Sequence, residues 1–172
     1  MFTLEKLCSA KLLTAWQLPG DEVPQRLCYT TSRWKLDMQA LKKNPSEGGI
    51  RPFVSSPYDE IKGLLDDFVR GVPPVRLIRP RGEGMDPPFR RMDPPHGAVV
   101  EMRTPKTRCF GFFHRPDVLV LHLAVAVERL KTNRRANREY YGLAAAAVGE
   151  HLLARLLETE WDANTDVDRL VQ

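Results

Sequence analysis

In KTNRRANREYYGLAAAAVGEHL, which begins at Lys131, a knot of cations runs into two tyrosines and then an alanine-rich segment. Lys131, Arg134, Arg135 and Arg138 supply charge and guanidinium forks suited to phosphate oxygens. Tyr140 and Tyr141 supply rings and phenolic hydroxyls. One reading is a phosphate-handling site at the end of a sheet. The other is a solvated helix start, with the tyrosine rings buried and their hydroxyls wet. Cations are disfavoured at a helix N-terminus on dipole grounds, which gives an external anion some weight.

The 172 residues suit one domain with an extension better than two full domains. With 42% hydrophobic and 28% charged residues, the chain has the composition of a globular protein. The formal net charge of +4 is unevenly spread. Residues 76–138 hold 14 Lys/Arg against 6 Asp/Glu, leaving 12 and 16 elsewhere. A basic centre between acidic flanks fits a surface that faces a polyanion or an acidic partner.

Cys8, Cys28 and Cys109 are odd in number and widely spaced, so neither a disulfide framework nor a zinc site is expected. His96, His114, His122 and His151 show no ligand spacing. His114, at a strand end, is the best auxiliary acid–base candidate among them. No phosphate-binding glycine loop or nucleophile elbow is present, so no cofactor is expected. Lys6 and Lys11 interrupt the apolar start, and no long apolar run occurs; the expectation is a cytoplasmic protein with no membrane partner.

These residues need a scaffold. Leu4, Leu7, Leu12, Leu13 and Trp16 fit a short amphipathic helix, and RLCYTTSRWKLDM reads as a strand over Leu27–Met38 that could join a sheet edge. SSPYDEIKGLLDDFVRG predicts a helix. Ser56 is its cap, Pro57 its first residue, and Ile61, Leu64, Leu65 and Phe68 its apolar face. Pro87, Pro88, Pro94 and Pro95 mark an exposed arm or lid. AVVEMR, RCFGFFH and VLVLHLAVAV, joined by short turns, predict an antiparallel meander whose last strand is buried on both faces. A helix from about Asn133 to Leu157 follows. The expected class is α+β: a small antiparallel sheet of three to four strands packed by helices. An N-terminal extension spans residues 1–54, the α+β domain 55–158, and an acidic tail 159–172.

The segments EMR (Glu101–Arg103), RCFGFF (Arg108–Phe113), VLVLHL (Val118–Leu123), RLKTNRR (Arg129–Arg135) and YGLA (Tyr141–Ala144) resemble, in order, the C-terminal half of RelE/HigB-like toxins of bacterial toxin–antitoxin systems. The resemblance covers roughly 100 residues and excludes the first 50. It implies a RelE/ParE-like sheet cradling RNA, with mRNA cleaved in association with the ribosome and an antitoxin protein as neutralising partner. It assigns catalysis to Tyr141, Arg108 and Arg135, and RNA binding to Arg103, Lys106, Lys131, Arg134, Arg138 and Tyr140.

Such cleavage needs no metal when the 2′-OH attacks the adjacent phosphate. It needs a base, an acid for the leaving oxygen, and cations for the developing charge. Tyr141 would be the acid–base group, its phenol made more acidic by nearby arginines. Tyr140 would stack on a base. The chain departs from the family where basic residues are common: VVEMR offers Glu101 and only Arg103, with Lys106 as a substitute. That departure keeps open a non-catalytic nucleic-acid- or protein-binding module. The superfamily also contains ParE-like gyrase inhibitors, which would make the target a protein–DNA complex.

Overall fold

A computed structural model describes residues 3–43, 56–72, 89–91 and 99–127. Their elements, in chain order, are α1 (Leu4–Ser9), β1 (Leu13–Ala15), β2 (Leu27–Thr31), α2 (Ser32–Lys43), α3 (Pro57–Val69), β3 (Phe89–Arg91), β4 (Val100–Arg103), β5 (Thr107–Arg115) and β6 (Val118–Ala126). The six strands form one mixed sheet in the order β1-β2-β6-β5-β4-β3. The class is α+β, as expected, but the sheet is wider than the expected three to four strands and not wholly antiparallel. β4, β5 and β6 make the antiparallel meander. β6 then lies parallel to β2, with Cys28 opposite Leu119. Residues from the first 54 thus supply two strands of the same sheet.

The central position of β6 explains its nearly unbroken apolar sequence. Leu119, Leu121 and Ala124 enter a core with Trp34, Met38 and Leu41 of α2 and Ile61, Leu65 and Phe68 of α3. Val118, Val120 and Val125 enter the opposite core with Leu4 and Leu7 of α1, Leu13, Phe110 and Phe112. Alternation places successive residues on opposite faces, a register slip at His122 shifts the pattern by one residue so that Leu121 and Ala124 share a face, and both faces are covered.

Two expectations in the first half are corrected. Leu27–Met38 is not one strand: it ends at Thr31, and α2 begins at Ser32. Trp34, Met38 and Leu41 are buried at helical spacing, and the Thr31 hydroxyl accepts the Trp34 backbone N–H at 3.3 Å. Its strand lies inside the sheet, between β1 and β6, rather than at an edge. The helix anticipated over Leu4–Trp16 stops at Ser9, and Leu13 starts β1. Lys11, at φ 59°, makes the turn between them.

α3 forms as its sequence dictates. Ser56 Oγ accepts the Asp59 N–H at 3.1 Å, while Asp59 Oδ2 accepts the Ser56 N–H at 3.4 Å. Part of the proline-flanked arm is strand: Phe89–Arg91 pairs with β4 at the sheet edge, where neighbouring prolines are tolerated. In β5 the register slips between Phe110 and Gly111. A Cβ on Gly111 would stand 2.1 Å from the Val120 carbonyl oxygen, so this close approach requires glycine.

Candidate nucleic-acid interface

The β4–β5 hairpin gathers the polar residues of the EMR and RCFGFF segments. β-Branched and aromatic residues favour the two strands, and Thr104–Thr107 turns between them. Register sets Arg103 directly opposite Arg108. Two like charges facing each other across a ladder repel. Glu101 precedes Arg103 by two residues and therefore shares its face.

Glu101 Oε1 stands 3.2 Å from Arg108 Nε, and Oε2 stands 3.5 Å from Arg103 Nε. The carboxylate is wholly buried at 0% exposure, whereas the arginine side chains are 13% and 14% exposed. A wholly buried anion thus sits against two guanidiniums that are themselves mostly buried.

Arg108 is held from a second direction by the turn. Its Nη1 donates to the Thr107 carbonyl at 3.0 Å and also to the Thr104 carbonyl. The turn is closed by the Thr104 N–H donating to the Thr107 carbonyl at 3.0 Å and the Thr107 N–H donating to Thr104 Oγ1 at 3.1 Å. Lys106 pairs with Glu60, in the first turn of α3, at 3.7 Å, and its carbonyl accepts the Val127 N–H at 2.8 Å. The hairpin tip is thereby tied to α3 and to the residue after β6.

Of the expected site residues, the structure brings Arg103, Lys106 and Arg108 together on this one tip. Tyr140, Tyr141, Lys131, Arg134, Arg135 and Arg138 lie outside the described residues. His114 is at the far end of β5, six residues from Arg108 and so about 20 Å away along an extended strand. Nor does the register pair it with His122, because Phe113 faces Leu119 and Phe110 faces Leu123. His122 is buried, with Nδ1 3.1 Å from Thr31 Oγ1 at the start of α2.

The thiols are poorly placed for nucleophilic chemistry. Burial pushes Cys109 up to about 12. Burial pushes Cys28 up further and Cys8 up as well, so thiolate is disfavoured at all three. Desolvation also raises the Tyr29 phenol. Among the described residues no cluster of His, Cys, Asp and Glu could hold a metal ion, and no helix is long and apolar enough to cross a membrane.

Sequence reasoning missed two partners. Glu101 stands out in sequence only as an acidic intrusion in a basic region; its role depends on cross-strand register. Glu60 reads as a favourable charge at a helix start, and its link to Lys106 spans two elements. No family model, no curated protein and no solved structure matches the chain.

Proposed function

We propose that this chain is a RelE/HigB-like toxin that acts on RNA and is neutralised by an antitoxin protein. One observation carries the reading: Glu101, Arg103 and Arg108, the charged residues of two of the five segments on which the resemblance rests, converge in a single ion cluster. The wider basic span of residues 76–138 would add long-range attraction to a phosphodiester backbone. Cleavage would follow the metal-independent route. Tyr141 would move the protons, Arg108 and Arg135 would stabilise the charged phosphorane, and Tyr140 would stack on a base. The ribosome would present the mRNA.

A second reading, RNA binding without cleavage, is favoured by how Arg108 is used. Glu101 lies against its Nε, and two turn carbonyls occupy its Nη1. Such a guanidinium anchors a phosphate better than it follows a moving one.

The test is induction in cells with mapping of RNA 5′ ends, comparing wild type with Tyr141→Phe and Arg108→Ala. Growth arrest with new RNA ends that vanish in both variants is the expected result. RNA association without new ends selects the binding reading. Arrest with intact RNA and a DNA-damage response would replace RNA by gyrase as target, and absence of toxicity would remove the toxin reading altogether.

A further inference from the structure

We propose that the α1 side of the sheet, where it nears the β4–β5 turn, is the seat of the chain's own C-terminal segment, the helix expected over Asn133–Leu157. Alternation defines the face. Val99, Glu101 and Arg103 fall on one side, while Val100 and Met102 enter the core with α2 and α3. Arg108 and Phe110 of β5 stand opposite Arg103 and Glu101, and Val125 of β6 stands opposite Arg108. Val99, Glu101, Phe110 and Val125 are buried, and the two guanidiniums are mostly so.

Among the described elements α1 alone stands on this side, because α2 and α3 pack on the other. Its six residues make a helix about 9 Å long and about 10 Å wide, whereas β5 runs about 30 Å. Its place is also set. α1 turns directly into the edge strand β1, and the charge of Arg115, at the far end of β5, reaches Glu5. α1 therefore covers the Arg115 end, and the burial at the Arg108 end comes from another part of the chain.

Continuity and sequence single out that part. β6 ends at Ala126, opposite Thr107, so the chain leaves the sheet beside Arg108 with residues 128–172 still to place. They lie outside the described residues, but their sequence suits the seat. Tyr141, Ala145, Val148, Leu152 and Leu156 recur at steps of four, three, four and four, which is an apolar helical stripe. A helix of the expected extent would be about 37 Å long, enough to span β5. The small side chains of Ala144–Ala147 suit close approach over the bulky Phe110 and Phe112. Other segments fit less well. Residues 44–55 join α2 to α3, both on the opposite side, and residues 92–98 only connect β3 to β4. Five prolines divide residues 73–88 into stretches of at most six. Tyr141 heads the stripe, so this docking carries it to the end of the sheet where Arg108 lies. The docking itself does not depend on RNA.

The test places nitroxide labels on the full chain carrying Cys8→Ser, the other two thiols being buried. Glu139→Cys and Glu150→Cys put the label on the side of the expected helix away from its apolar stripe, so the contact is left intact. Docking predicts that paramagnetic broadening removes most of the amide intensity of Glu101, Arg108, Phe110 and Val125. Ile61 and Leu65 of α3, beyond the sheet, should keep theirs. No broadening of the first group, or equal broadening of both, overturns the proposal. Broadening of the first group by a label on Arg79→Cys, with none from positions 139 and 150, gives the seat to residues 73–88 and overturns it as well.

Discussion

β5 has an arginine cluster at each end, and the two differ in how their charge is balanced. At the β5–β6 turn, Arg26 is 3% exposed and pairs with Asp117 Oδ1 at 2.9 Å. Its Nη1 donates to the Val72 carbonyl at 2.8 Å and the Phe68 carbonyl at 3.4 Å, at the C-terminal end of α3. Its guanidinium lies 5.6 Å from the Phe68 ring centroid. The carbonyl ends of a helix and an aromatic face both attract a cation. The main-chain N–H groups of Gln25 and Arg26 donate to the Val69 carbonyl, at 2.9 Å and 3.1 Å, and that of Leu27 donates to the Asp117 carbonyl at 2.8 Å. A cation, a carboxylate and several dipoles meet in this cluster.

At the β4–β5 turn the burial is reversed. Here the anion is innermost, wholly buried, and the two guanidiniums against it are slightly more exposed. Burying the cation and leaving its carboxylate partner 30% exposed makes a clamp. Burying the carboxylate against two cations joins the two strands of the hairpin through one anion. Residue type alone does not distinguish them; the stoichiometry and depth of the charges do.

The largest effect expected from breaking the comparison is at the clamp. Arg26→Ala removes a buried cation, leaves Asp117 without this guanidinium and takes its donor from the Val72 carbonyl, so a loss of about 3–5 kcal/mol is expected from guanidinium chloride unfolding. RNA affinity of the fraction that remains folded should be unchanged. Glu101→Gln comes next. It removes the charge that Glu101 sets against two facing guanidiniums, and a loss of about 2–3 kcal/mol is expected in the same assay.

The helix-side core between the two ends supplies a pH test. The folded pKa of Cys109, about 12, lies above the ordinary thiol value of 9.0. Its contribution to stability is therefore complete below pH 9 and is lost as pH rises from there toward 12. Unfolding midpoints across that range should fall less steeply in Cys109→Ala than in wild type. The smallest effect is expected at the half-buried Lys106–Glu60 pair, where Glu60→Gln should cost about 0.5 kcal/mol or less.

How much of this was legible depended on whether the physical cause was local. α3 was readable because its cap, its proline and its apolar spacing all sit within one segment. β5 and β6 were readable from aromatic and apolar runs bounded by turns. The β2–α2 junction was not, because Tyr29, Thr30, Thr31 and Trp34 resemble one continuous strand. The change from strand to helical period there turns on one hydroxyl, that of Thr31, accepting the Trp34 N–H. Arg103, Lys106 and Arg108 were legible as a basic group from their closeness in sequence. Glu101 was not legible as their centre, because only the register puts it there. Arg26 and Asp117 are 91 residues apart, and no local pattern connects them.

The most direct test of the RNA-site claim is the salt dependence of single-stranded RNA binding for wild type, Arg103→Gln and the double variant Arg103→Gln/Arg108→Gln. If both arginines meet the backbone, the slope of log affinity against log salt should become shallower by about 0.7 with the first substitution and about 1.4 with both. Slopes that coincide with wild type while RNA still binds would place the RNA elsewhere and leave Arg103, Arg108 and Glu101 a purely internal ion cluster.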